Sequence, residues 1–193
     1  MQQLTYVGYA LGHQLLLSPG YCPSEPFDYA GGLVGALSLS FPMILTGIAH
    51  GPVNISLVHC GSRPEANGSG WEDVAEVSLL AGTDPIIPGS LDGHEPPLGV
   101  RLDFLGPGWY RARIHARNRD AAPDLIVEEP VEDYLIEVWP APPTQAETLK
   151  VTSEYGRIMQ APQEHVLRDD TYNPPIPKPA VDPGPASANG REL

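Results

Sequence analysis

The chain has 193 residues, and 11 Lys+Arg against 24 Asp+Glu give a net charge of −13. Only Glu25 and Asp28 are charged in the first 62 residues; every Arg and Lys lies at Arg63 or later. Gripping phosphates takes clustered cations, so this balance excludes a basic nucleic-acid-binding protein and argues against docking on an anionic membrane.

Apolar residues at 41% can build a core, while 23 prolines work against long helices. Size alone favours one domain with a tail. Cys22 and Cys60 allow one disulfide but no framework, and Met1–Tyr6 lacks the basic start of a secretory signal. The expected compartment is a reducing cytoplasm with both thiols free. Tyr29–Ser62 is uncharged and long enough to span a bilayer, but Gly31, Gly32, Gly35, Pro42, Gly47, Gly51 and Pro52 cut it into strand-length pieces.

In chain order, Leu4–Tyr9 and His13–Leu17 read as a first hairpin. Leu33–Ser40 alternates, Met43–Ala49 follows a Phe41-Pro42 break, and Val53–Cys60 sets Val53, Ile55 and Leu57 on one face. After the polar loop Gly61–Gly70 come Trp71 and the strand Val74–Leu80. A Gly/Pro/Asp-rich loop, Ala81–Gly99, leads to Val100–Phe104, then Trp109–Arg117, an acidic loop and Tyr134–Trp139. Eight or nine short strands with Gly/Pro turns predict an all-β, antiparallel β-sandwich over residues 1–143. Thr144 and Glu147 form a capping-box pattern, and Leu149, Tyr155, Ile158 and Met159 predict a short helical extension over 144–160, interrupted at Gly156. Residues 161–193 include seven prolines and read as a disordered, extended tail.

A catalytic signature is missing. Gly89-Ser90-Leu91-Asp92-Gly93 has its serine in the wrong place for a nucleophile elbow, and no phosphate-binding glycine loop occurs. The six histidines never fall at H-x-H or H-x-x-x-H spacing, so no metal site or cofactor is expected. His59 and Cys60 are adjacent on a strand and point to opposite faces, which prevents a Cys–His pair between them. The carboxylates cluster at Glu72-Asp73-Glu76 and from Glu128-Glu129 through Glu132-Asp133 to Glu137. They read as solvated faces rather than as a glycosidase pair.

The most informative segment is Trp109–Arg117. Tyr110, Ala112, Ile114 and Ala116 fall on one face, suited to the core; Trp109, Arg111, Arg113, His115 and Arg117 share the other. In the strand 134–139, Tyr134, Ile136 and Val138 point in, and Leu135, Glu137 and Trp139 point out. If the strands pair, an arginine row meets Glu137 and two tryptophans. The plain reading is a cross-strand ion-pair ladder. The functional reading is a partner-binding face of Trp109, Arg111, Arg113, His115, Glu137 and Trp139, because Trp and Arg anchor interfaces.

Three motifs occur together: Trp71-Glu72-Asp73-Val74-Ala75-Glu76-Val77-Ser78, Gly108-Trp109-Tyr110-Arg111-Ala112-Arg113 and Tyr134-Leu135-Ile136-Glu137-Val138-Trp139-Pro140. In these the chain resembles a group of uncharacterised actinobacterial proteins. It is more distantly similar to the competence protein J family, small β-sandwich inhibitors that bind a DNA-entry nuclease. The resemblance spans about Leu4 to Pro140 and implies a non-enzymatic inhibitor with no catalytic residue to carry over. The longer Gly61–Gly99 region and the Pro-rich tail depart from that family.

The expected function is that of an acidic, non-enzymatic protein that captures another protein, such as a basic nuclease or toxin, as an inhibitor or immunity partner does. The competing reading is a small-ligand or metal-binding barrel, cupin-like, or an enzyme, with Tyr6, Tyr9, His13, His50 and His59 around an interior site. A third uses the charge-poor N-terminal strands as a homodimer contact.

Overall fold

A computed structural model describes residues 2–18, 30–37, 41–65, 68–90, 93–94 and 96–160. They form ten strands and one short helix: β1 (Gln2–Leu11), β2 (Gln14–Ser18), β3 (Val34–Leu37), β4 (Phe41–Leu45), β5 (His50–His59), β6 (Asp73–Ala81), β7 (Ile87–Gly89), β8 (Gly108–Arg117), β9 (Asp133–Pro140), β10 (Glu147–Val151) and α1 (Glu154–Gln160). Among these residues no helix is long and apolar enough to cross a membrane.

The strands make two open sheets, one in the order β1-β5-β9-β8-β6-β10 and one in the order β3-β4-β2-β7. Their facing side chains merge into one core. Leu15, Leu17, Val34 and Ile44 come from the smaller sheet. Ile55, Leu57, Val77, Leu79, Ile114, Tyr134 and Ile136 come from the larger. The fold is therefore mostly β and sandwich-like, with strand alternation setting the buried face.

The pairing differs from a purely antiparallel design of eight or nine strands. β5 and β9 run parallel, from Asn54 opposite Asp133 to His59 opposite Val138. The expected first hairpin does not form. β1 pairs with β5, whereas β2 pairs with β4 and β7. The corner between them belongs to the 46–49 connection: His13 N–H donates to Ala49 O (3.2 Å), and His13 O accepts from Thr46 N–H (3.0 Å). Val100–Phe104 is not a strand; Leu102 N–H bonds Ile86 O at 2.8 Å, and Asp103 caps Ile86 N–H at 2.9 Å. The predicted helical stretch divides in two. Residues 147–151 are β10, added to the outer edge of β6, and only Glu154–Gln160 is helical. Ser153 Oγ, not Thr144, caps that helix by accepting from Gly156 N–H at 2.8 Å. Asp120 accepts from Glu154 and Tyr155 N–H as well. Cys60 is a buried free thiol; Cys22 and the expected tail over 161–193 lie outside the described residues.

Candidate protein-docking surface

β8 and β9 pair antiparallel with Arg111 opposite Trp139, Arg113 opposite Glu137 and His115 opposite Leu135. Alternation correctly gathers Arg111, Arg113, His115, Glu137 and Trp139 on the outer face of the larger sheet. That face, however, is not free. Arg111, Arg113, His115 and Trp139 are only 3%, 1%, 1% and 3% exposed, and Trp109 and Glu137 are half-buried. The expected exposed Trp/Arg partner face is corrected to a covered network.

The cover comes from 61–65, 68–72 and 141–147. Arg113 donates to Pro64 O and Glu65 O, both at 3.2 Å, and Arg111 donates to Thr144 O at 3.1 Å. Beneath, Arg113 Nε bonds Glu76 Oε1 at 2.8 Å and Arg111 Nε reaches Glu76 Oε2 at 3.3 Å. His115 Nε2 lies 3.0 Å from Glu137, and the Trp71 ring tilts against His115. Trp139 packs on Val58 and Cys60, with the Arg113 guanidinium 5.5 Å above its ring. Burial raises the Glu76 carboxyl, but hydrogen bonds and charge from Arg113 and Arg63 outweigh it and hold the carboxyl below its usual range. The face is a filled ion-pair layer, the plainer of the two readings.

A second buried polar cluster was not legible in the sequence. Arg119 and Asp73 are fully buried and paired, with Arg119 Nη1 also donating to Gly32 O (2.8 Å) and Leu45 O (3.2 Å). Asp73 accepts from Thr152 N–H (2.9 Å) and Ser153 N–H (3.1 Å), which fixes the start of α1. Glu132, also fully buried, accepts from Gly47 and Ile48 N–H and from the Tyr134 hydroxyl. Gly47 sits so close that a Cβ there would lie 1.9 Å from Arg119 O. Asp73, Glu76 and Glu132 are therefore interior anchors, not the solvated carboxylates expected. Nothing in their spacing marks this, because each meets a partner distant in the chain.

Most donors in these two clusters are engaged; among the described residues Arg111 Nη2, 3.8 Å from Glu147, and His115 Nδ1 are buried without a hydrogen-bond partner. The surface that remains open lies elsewhere. The loop between β8 and β9 holds Leu125 and Ile126 outward, 56% and 76% exposed. Its backbone is pinned: Asp124 N–H to Gly47 O (3.0 Å), Ala49 N–H to Leu125 O (2.9 Å) and Val127 N–H to His50 O (2.9 Å). Asp124 holds φ +61° in this turn, and its carboxylate lies 3.4 Å from His13 Nε2. Glu128 and Glu129 follow, exposed and with no ion pair to any described residue. Two apolar side chains are thus presented on a hydrogen-bonded backbone, followed by two exposed carboxylates. This arrangement can anchor a protein surface with little loss of entropy on binding. The sequence carries this feature as Leu125-Ile126 within an acidic loop.

The alternative interior site is not assembled. Tyr9 meets His50 edge-on (5.1 Å) and stacks on His94 (4.3 Å). His13 lies against Tyr155 and Asp124, and His59 stacks on Phe104 and bonds Arg101 O at 2.7 Å. Tyr9 and His50 touch, but His13 and His59 make their contacts with other groups, and among the described residues no three His, Cys, Asp or Glu side chains are arranged to hold a metal ion.

No family model and no curated protein matches the chain. Among solved structures, one titled crocagin biosynthetic gene J is similar over 74% of this chain and 100% of its own, at 14% identity and a TM-score of 0.42. A likeness of that size carries no argument about function, and the resemblance to the competence protein J family rests on sequence motifs alone.

Proposed function

We propose that this protein is a non-enzymatic binding domain that captures a basic protein, as an inhibitor or immunity partner of a nuclease or toxin does. Its contact is the loop carrying Leu125, Ile126, Glu128 and Glu129, not the arginine face. The observation behind this reading is the exposure of Leu125 and Ile126 on a loop whose backbone is hydrogen-bonded to the 47–50 segment. Contiguous apolar side chains held in water mark surfaces that meet a partner. The charge of −13 adds long-range attraction for a cationic partner, an advantage that fades as salt screens it.

The test is capture from native lysate at low and high salt with the full chain and with a Leu125→Asp, Ile126→Ser variant. The expected result is a basic protein retained by the unaltered chain, more at low salt, and lost by the variant. Equal retention by both chains would refute the loop as the contact.

A further inference from the structure

Among the described residues, His13 (φ +63°), Asn118 (φ +66°) and Asp124 (φ +61°) are the non-glycine residues with a positive φ. Side chains are uncommon in this region, which Gly enters without strain. A chain that needed only a turn at 12–13 could repeat the glycine it already places at Gly12, φ +61°. His13 and Asp124 instead meet: His13 Nε2 lies 3.4 Å from Asp124 Oδ1, so two left-handed corners far apart in the chain touch through their side chains. The imidazole has a second neighbour. It stacks near-parallel on Tyr155 of α1, centroids 6.3 Å apart, with Nδ1 3.5 Å from the Tyr155 hydroxyl. The main chain of His13 bears on the same loop, because it bonds Ala49 and Thr46, and the 47–50 segment in turn holds Asp124, Leu125 and Val127. Asp120, near the start of that loop, accepts from the Glu154 and Tyr155 N–H groups and so ties the loop to α1. His13 therefore sits where the β1–β2 corner, the 46–49 connection, the loop after β8 and α1 come together.

We infer that His13 is a positioning residue for the docking loop: its imidazole, braced by Tyr155, clasps Asp124 and sets how the next two residues, Leu125 and Ile126, are presented. This rests on the binding function above and adds the group that orients its contact. The backbone bonds to the 47–50 segment fix the course of the loop. The side-chain contact favours the left-handed state of Asp124, the residue from which Leu125 and Ile126 turn outward. An exposed carboxylate contributes little to global stability through such a contact, so the effect of the clasp is local. Local opening of a loop is set by its own contacts and can change while the fold as a whole does not.

Amide hydrogen exchange on the full chain tests this without a partner. In His13→Gly the backbone keeps its φ at no steric cost, so the melting temperature should stay level or rise. Exchange at Ala49, Asp124 and Val127, whose N–H groups close the loop, should nevertheless become about threefold faster, the scale of one exposed pair. His13→Asp sets carboxylate against carboxylate and should speed exchange further. His13→Asp combined with Asp124→His rebuilds the contact in reverse and should return these amides to the unaltered rate. A residue that merely shaped the turn would be matched by glycine at every amide and would gain nothing from the reversed pair. Unchanged exchange in His13→Gly, loosening spread evenly over the core amides, or a reversed pair that restores nothing would overturn the proposal. A benzophenone side chain at Ile126 then reads docking: the yield of crosslinked basic protein should fall about threefold in His13→Gly and recover with the reversed pair. Faster exchange with an unchanged yield would overturn the positioning role and leave the binding function standing. No crosslink at Ile126 even in the otherwise unaltered chain would remove the binding function, and this inference with it.

Discussion

Arg119 donates to Asp73 Oδ2 from both Nε (3.0 Å) and Nη2 (2.6 Å), and neither side chain has any exposure. The pair sits where β6, the loop after β8 and the start of α1 converge, so it ties three distant parts of the chain together. Removing one member leaves a buried charge without its counterpart. Arg119→Met is therefore expected to cost roughly 3–5 kcal/mol in urea unfolding. Adding Asp73→Asn to that variant should cost less than the sum of the two single changes. Strict additivity would show that the two groups do not act as a pair.

The acid limb of stability follows from the same carboxylates. Burial raises Asp73, but the charge of Arg119 and the hydrogen bonds from Ser153 and Arg119 outweigh it, so its folded value lies below the ordinary one. Glu76 is lowered as well. Such groups stabilise the fold above their unfolded titration, near pH 4, and that stability is lost as pH falls through the folded values. Glu132 has the opposite sign, because burial raises it despite bonds from Tyr134, Ile48 and Gly47. A rise in pH from about 4.5 through its raised value removes stability. Glu132→Gln should therefore improve relative to the unaltered chain as pH climbs through that window. A stability difference between the two chains that is flat with pH would contradict the assignment.

Trp139→Ala is expected to be a stability variant. The ring is 3% exposed against Val58 and Cys60. Its loss should cost about 3–5 kcal/mol by cavity formation and leave partner capture, measured below the melting transition, intact. A variant of unchanged melting temperature would return this side chain to the surface.

Tyr6 presents a buried hydroxyl with no hydrogen-bond partner among the described residues, and burial raises its titration. An unsatisfied hydroxyl costs about 1–3 kcal/mol, so Tyr6→Phe should be neutral or stabilising in thermal unfolding. A clear destabilisation would mean that the hydroxyl holds a bound water or ligand.

The sequence and the structure agree where alternation alone decides the outcome. Tyr110, Ala112, Ile114 and Ala116, and Tyr134, Ile136 and Val138, all face the core as their period-two spacing requires. They part where long-range pairing decides. Period two cannot distinguish β1 and β2 as a hairpin from the same strands assigned to different sheets. Nor does it reveal that β5 and β9 run parallel. The outer face of β8 and β9 shows the same limit for the site. Alternation gathers Arg111, Arg113, His115, Glu137 and Trp139, but whether that face is wet depends on residues 61–65, 68–72 and 141–147 folding over it. Backbone carbonyls of Pro64, Glu65 and Thr144 meet the arginines, and carbonyls leave no residue-type signature. Glu132 and Asp73 were hidden for a related reason: their partners are mostly backbone N–H groups and one arginine far along the chain.

The most direct measurement is site-specific photocrosslinking in the organism of origin, with a benzophenone side chain placed at Ile126 and, separately, at Arg63 above the arginine layer. Crosslinking at Ile126 to a basic protein, abolished by Glu128→Lys with Glu129→Lys and absent from Arg63, is the expected result. A partner crosslinked through Arg63 but not through Ile126 would contradict the assignment of the docking surface and return it to the tryptophan–arginine face.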